Sequence, residues 1–154
     1  MAKIILNKCY GGYGWSEEAT FEYLDRLGKD YKCFDYDDNE LTKDEYLAHG
    51  GWGYIKVDGE WFDGIGREDP IAITLLEEKG SEYCSGNAAE LVVKEYDKED
   101  WIAKIDEYDG CESLELIPRL TEERIRSCAN VDEIVNLLKR LGCFYAAERE
   151  QDDN

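Results

Sequence analysis

The chain has 154 residues, with 37 Asp and Glu against 18 Lys and Arg and a formal net charge of −19. A field of that sign repels nucleic acid and anionic membranes and favours basic partners, so neither direct nucleic-acid binding nor membrane association is expected. The length and an apolar fraction of 43% suffice for one compact core. A single domain over 1–154 is expected, with 31–63 as an insertion and 118–148 as a helical C-terminal extension.

Ile4, Ile5 and Leu6 form a continuous apolar run that predicts a buried strand over 3–8. The glycine-rich corner "NKCYGGYGWSEEA" (7–19) follows. Ser16 fits an N-cap, Glu17 and Glu18 suit a first helical turn, Phe21, Leu24 and Leu27 recur at helical spacing, and Gly28 stops the helix. Residues 29–41, "KDYKCFDYDDNEL", read as an irregular acidic and aromatic surface connection. Thr42 with Glu45 makes a capping box for a short helix to His49, ended by Gly50 and Gly51.

Asp58-Gly59 between two β-rich runs, 53–57 and 60–62, predicts a hairpin with a type I′ turn. Asp69 caps a helix opened by Pro70 and closed by Gly80, with Ile71, Ala72, Leu75 and Leu76 on its apolar face. Residues 88–96 read as a strand. Asp109-Gly110 predicts a second hairpin between the Trp101/Ala103/Ile105 and Leu114/Leu116 alternations, although Trp101, Ile105 and Tyr108 also fit one helical face. Thr121 and Asn130 cap terminal helices; Glu133 completes a capping box, and Gly142 ends the stripe of Ile134, Val135, Leu137, Leu138 and Leu141. "EREQDDN" (148–154) reads as a solvated tail. Together these elements predict an α+β fold, a mixed and mainly antiparallel sheet with two hairpins, covered by helices.

Cysteines stand at 9, 33, 84, 111, 128 and 143, no two closer than 15 residues, and His49 is the only histidine. That spacing gives no zinc pattern, so reduced, mostly buried thiols are expected, with no metal and no cofactor. The apolar run 2–7 is far shorter than a signal-peptide core, and no stretch approaches a membrane span, which leads to a cytoplasmic location as the expectation.

Three segments resemble a family of small uncharacterised proteins of bacteriophages and prophages. They are Asn7-Lys8-Cys9-Tyr10-Gly11-Gly12, Arg67-Glu68-Asp69-Pro70 ahead of a helix, and "WIAKIDEYDGCE" (101–112), whose turn carries Tyr108, Asp109, Gly110 and Glu112. The resemblance spans residues 2–30 and 64–117. It implies a phage context in a host cell rather than a particular reaction.

The candidate chemistry divides into three groups. In the corner, Gly11, Gly12 and Gly14 match neither a P-loop nor a dinucleotide fingerprint, and Glu17 and Glu18 oppose a phosphate at the helix N-terminus. The glycines are equally accounted for by a tight turn needing positive φ, while Tyr10, Tyr13 or Trp15 offers an aromatic face to a nucleobase. Arg67 offers paired donors to phosphate or carboxylate, or forms a surface salt bridge beside the Asp69 cap. Glu107, Asp109 and Glu112 around one turn suit acid–base work or an oxygen-liganded cation, or else a plain turn with Glu112 at a solvent-facing strand position. The carboxylates Asp35, Asp37, Asp38, Glu40, Asp44 and Glu45, interleaved with aromatics, either imitate a nucleic-acid backbone or form a solvated loop.

No catalytic constellation emerges, which favours a binding protein over an enzyme. The leading expectation is a phage-type accessory protein that counters host defence by sequestering a small signalling nucleotide. Its ligand-binding residues would be Asn7, Lys8, Tyr10, Trp15, Arg67, Asp69, Tyr108, Asp109 and Glu112, with a homo-oligomer compatible with so small a chain. The alternative is an acidic nucleic-acid mimic that binds a basic host defence protein through Asp35, Asp37, Asp38, Glu40, Asp44 and Glu45. A metal-dependent hydrolase using Asp69, Asp109 and Glu112 is the third class.

Overall fold

A computed structural model describes residues 1–143; the end of the expected helical extension and the expected tail (148–154) lie outside the described residues. The fold is α+β, with six helices and eight strands among the described residues. In chain order these are β1 (Ala2–Asn7), α1 (Glu17–Leu27), β2 (Tyr31–Phe34), β3 (Glu40–Leu41), α2 (Lys43–Ala48), β4 (Tyr54–Val57) and β5 (Glu60–Trp61). They continue with α3 (Pro70–Lys79), α4 (Ser81–Cys84), β6 (Leu91–Tyr96), β7 (Trp101–Tyr108), β8 (Cys111–Pro118), α5 (Glu122–Ser127) and α6 (Val131–Arg140). No helix of the described residues is long and apolar enough to cross a membrane.

The strands form a two-stranded sheet β1-β6, a four-stranded sheet in the order β3-β2-β4-β5, and the hairpin β7-β8. Both hairpins are built on the expected dipeptides. Asp58 and Gly59 have φ of 50° and 87°, and Asp109 and Gly110 have φ of 50° and 83°, the two consecutive positive values that a type I′ turn requires. The alternation around Asp109-Gly110 therefore resolves into strands rather than a helix.

Residues 29–41 differ from expectation. They are not an irregular connection but supply β2 and β3, which pair antiparallel through Cys33↔Leu41 and Phe34↔Glu40. The acidic turn between them is closed by Asp35, whose carboxylate accepts hydrogen bonds from the amides of Asp37 and Asn39 and from the Asn39 side chain. An acidic, turn-rich composition hid a strand of four residues whose inward positions are the half-buried Tyr31 and the buried Cys33, while Phe34 on the other face stacks on Tyr54. The strand expected over 88–96 begins at Leu91, because Asn87 and Ala88 form a turn ahead of it, closed by the Ala89 amide on the Gly86 carbonyl.

The chain divides into two compact units. The larger comprises Lys3–Lys94 and Asp106–Ser113, the second segment being the tip of the β7-β8 hairpin. Its core joins Ile5 of β1, Phe21 and Leu24 of α1, Cys33 of β2, Ile55 of β4, Leu75 and Leu76 of α3, and Leu91 of β6. The helices are stopped and started as their sequences dictate. The Ser16 hydroxyl accepts from the Ala19 amide, Gly28 ends α1 in the left-handed conformation, Thr42 and Glu45 complete both halves of a capping box, and the Asp69 carboxylate accepts from the amides of Ile71 and Ala72.

The smaller unit comprises Met1–Ala2, Glu95–Ile105 and the chain from Leu114 onward. Its buried residues include Tyr96, Leu137 and Leu141. Asp100 receives Arg124 of α5 at 2.6 Å and Arg140 of α6 at 2.9 Å, so one carboxylate ties both terminal helices to the segment ahead of β7. Those two guanidinium groups hold the Asp100 carboxyl below the usual carboxylate range against the opposing effect of burial.

Of the six cysteines, only Cys33 and Cys84 are buried; Cys9, Cys111 and Cys128 are partly exposed and Cys143 is exposed. All six are free thiols, fewer of them buried than the composition led one to expect.

Phe21 is fully buried and touches the rings of Tyr31 and Tyr46 at centroid separations of 5.7 Å. Phe21→Ala is therefore expected to destabilise the larger unit by about 3–5 kcal/mol, read as a fall in the urea midpoint.

Candidate functional site

The glycine-rich corner of the sequence is held by a polar network inside the larger unit, and its centre is Glu112. This residue is 4% exposed, not at a solvent-facing strand position as alternation implied. The strand β8 has just left the Asp109-Gly110 turn, and the turn aims its second residue inward. The Glu112 carboxylate accepts a two-pronged pair from Arg67, Nη1 to Oε2 and Nη2 to Oε1, both at 2.6 Å. Its Oε2 also accepts the backbone amide of Asn7 at 2.8 Å, and its backbone carbonyl accepts from Lys8 Nζ at 2.9 Å.

Asn7 is fully buried and fully engaged. Its Nδ2 donates to the carbonyls of Cys9 and Gly110 at 2.7 Å each, while its Oδ1 accepts from the amides of Cys9 and Glu90. One side chain thus joins the end of β1, the turn of the second hairpin and the entry to β6. The approach is close enough to demand glycine: a Cβ on Gly110 would fall against the backbone nitrogens of Gly12 and Gly11. Two of the glycines in "CYGGYG" are therefore a docking surface for a third, 98 residues away in sequence, which is the physical use of this corner.

Arg67 has a second engagement. Its guanidinium carbon lies 3.9 Å from the centroid of the Tyr13 ring, a cation–π stack, and Nη1 also reaches the Ile5 carbonyl at 3.3 Å. Tyr13 donates its hydroxyl hydrogen to the Ile65 carbonyl and accepts from the Trp15 indole nitrogen. Burial is the largest influence on the Tyr13 phenol and pushes it above its ordinary value. The bonds above leave Arg67 with Nε–H and one Nη2–H that donate to nothing among the described residues.

Arg67 is also one of the residues lining a cleft of about 470 Å³, with Tyr13, Gly14, Trp15, Thr20, Phe62, Asp63 and the stretch Gly64 to Gly66. Three aromatic side chains, one cation and one carboxylate in such a volume make a site suited to a ring carrying polar substituents.

The sequence-predicted residues are distributed as follows. Asn7, Lys8, Arg67 and Glu112 meet in one network, and Arg67 and Trp15 line the cleft. Asp69 is not among the lining residues, although its amide donates to the Gly66 carbonyl; its Oδ1 caps α3 and its Oδ2 accepts from the Tyr23 hydroxyl at 3.1 Å. Asp109 occupies the turn, and Tyr10 and Tyr108 are exposed to solvent at 67% and 79%. Tyr13, Thr20, Phe62, Asp63 and Ile65 complete the cleft although the sequence did not single them out as a group. The signal for the last three was the glycine-punctuated run "FDGIGR", which departs from strand alternation just before the Asp69 cap.

The carboxylates of the alternative interface are also placed. Besides Asp35 in its turn, Asp38 accepts from the Tyr54 hydroxyl at 2.5 Å, Glu40 pairs with Lys32, and Glu45 closes the α2 capping box, while Asp37 and Asp44 are exposed. Asp69, Asp109 and Glu112 do not converge, and among the described residues no group of three or more His, Cys, Asp or Glu side chains is placed to hold a metal ion.

Comparison of the chain with protein-family models, curated proteins and solved structures returned no match.

Arg67→Ala leaves the buried Glu112 carboxylate without its cation and is expected to cost about 3–5 kcal/mol of stability by denaturant unfolding. The double replacement Arg67→Met with Glu112→Leu, which removes both charges, should cost less than the single one. That ordering separates the expense of an unpaired buried charge from the net worth of the pair.

A pH dependence follows from Tyr23. Burial and then the Asp69 carboxylate push its phenol from 10.0 up to about 12. Between those values the folded protein keeps a proton that the unfolded chain has lost, so this contribution is complete below pH 10 and disappears as pH rises to about 12. Tyr23→Phe should flatten the alkaline stability loss and remove one late-titrating phenol from the ultraviolet titration.

Proposed function

We propose that the protein is a phage-type accessory protein, acting by binding rather than catalysis, that sequesters a small signalling nucleotide in the Tyr13–Arg67 cleft. The observation that carries this reading is the lining itself: the rings of Tyr13, Trp15 and Phe62 with Arg67 at one edge. Aromatic side chains supply π-faces for a base, and guanidinium is the side chain best matched to phosphate oxygens. The unengaged Nε–Nη2 edge of Arg67 leaves room for such an oxygen without breaking the Glu112 pair. The phage context comes from the motif resemblance.

A second reading has its own support. Tyr36, Trp52 and Trp61 are 73%, 71% and 62% exposed, and the acidic turn with Asp37 lies in the same stretch of chain. Exposed aromatics beside carboxylates suit a basic protein partner.

The test is the melting temperature of the purified protein against a panel of cyclic mononucleotides, cyclic dinucleotides and NAD-derived nucleotides. At a hundredfold excess over Kd a true ligand adds about 2.7 kcal/mol to stability. The ligand should then be recovered chemically unchanged after heat denaturation. Absence of any shift across the panel sinks the sequestration reading; a salt-sensitive complex with a basic protein, lost on replacing Asp37 and Asp44 by Asn, would favour the second.

A further inference from the structure

Resting on the nucleotide reading of this cleft, we infer that the base it takes is guanine rather than adenine. The argument is the hydrogen-bonding inventory of the lining. Asp63 is exposed, and no donor among the described residues reaches its carboxylate. It is also the only acidic residue in the lining. Four lining carbonyls outside the helices already have donors: Gly14 accepts from the Gly86 amide, Ile65 from the Tyr13 hydroxyl, Gly66 from the Asp69 amide and Arg67 from the Ile5 amide. The Thr20 hydroxyl donates to the Ser16 carbonyl.

On the donor side the same loop is rich. The amides of Asp63, Gly64, Ile65, Gly66 and Arg67 donate to no group among the described residues, and Arg67 adds its Nε–Nη2 edge. Among the side chains lining the cleft, Asp63 is therefore the one carboxylate, it accepts from no described donor, and it sits in a loop whose amides are likewise unengaged.

Guanine matches that pattern. Its N1–H and N2 amino group point the same way and fit the two oxygens of a carboxylate, which only accepts. Its O6, beside them, is an acceptor for a loop amide, and the ring faces are left for Trp15 and Phe62. Adenine presents a bare N1 where guanine has N1–H, which sets a lone pair against the Asp63 oxygens, and it has no O6. Hypoxanthine is intermediate, since it keeps N1–H and O6 but lacks the amino group. A paired contact of this kind discriminates between bases by about 1–3 kcal/mol.

Isothermal titration with cyclic GMP, cyclic IMP and cyclic AMP tests this directly. The expected order of affinity is cyclic GMP, then cyclic IMP, then cyclic AMP, with about tenfold or more between the first and last. Asp63→Asn replaces one acceptor by a donor. It should weaken cyclic GMP about tenfold and improve cyclic AMP, because the new side-chain amide can both donate to N1 and accept from the 6-amino group. The Asp63 side chain has no partner among the described residues, so the variant should melt at the wild-type temperature, and a lost preference then reads as a lost contact.

Cyclic AMP binding as tightly as cyclic GMP, or an unchanged preference in Asp63→Asn, overturns the guanine assignment and leaves nucleotide sequestration standing. So does binding of an NAD-derived nucleotide with none of the three cyclic purines. If no nucleotide binds at all, both fall together.

Discussion

A single buried carboxylate organises the larger unit. Glu112 is removed from water by its position after the hairpin turn, and an ion so placed is tolerated only where donors surround it. Arg67 supplies two, the Asn7 amide a third. Each of those donors is fixed by something else: Asn7 by the end of β1, Arg67 by its stack on Tyr13 and by the loop that leads into α3. The requirement to satisfy one charge thus sets the relative positions of three chain segments, and the glycine contacts at Gly11, Gly12 and Gly110 follow from how near those segments must come.

The same guanidinium serves the fold and borders the cleft. Its Nη1 and Nη2 donate to Glu112, its flat face lies on Tyr13, and the residue lines the cleft together with Trp15 and Phe62. A cation held on two sides loses little freedom when a third group arrives, which favours recognition by a preorganised site. Glu112 neutralises the Arg67 charge at 2.6 Å, so in a chain of net charge −19 an anion at this position would be met by the remaining guanidinium N–H donors rather than by a net positive field.

Much of the fold was legible because its signals are local. Ser16, Thr42 and Asp69 as caps, Gly28 as a stop and two Asp-Gly turns are decided by a handful of neighbouring residues, and the structure has them where the sequence put them. β2 and β3 were missed because their neighbours Asp35, Asp37 and Asp38 carry turn chemistry that outweighed a four-residue strand. The site was harder. Its motifs drew attention to Asn7, Arg67 and Glu112, but nothing in a linear reading distinguishes an outward Glu from one pointing at an arginine 45 residues earlier. Tyr10, Tyr13 and Trp15 looked equivalent as aromatic faces; burial separates the two that meet the cleft from the one that meets water.

The bond from Asn7 to Glu112 spans 105 residues, and that separation bears on how the chain is made. During synthesis β1, α1 and Arg67 all emerge well before Glu112 does, so the β1 corner waits without its acceptor for 105 residues and the arginine for 45. Contacts of such long range form late, since closure entropy must be met before they contribute. A nascent or truncated chain ending before the second hairpin would hold a solvated Arg67 and an exposed Asn7 amide, with the edge of β1 unguarded at that end and open to the wrong strand. The hairpin tip is therefore the latch of the unit: the last few residues of a long delay complete a corner laid down at its beginning.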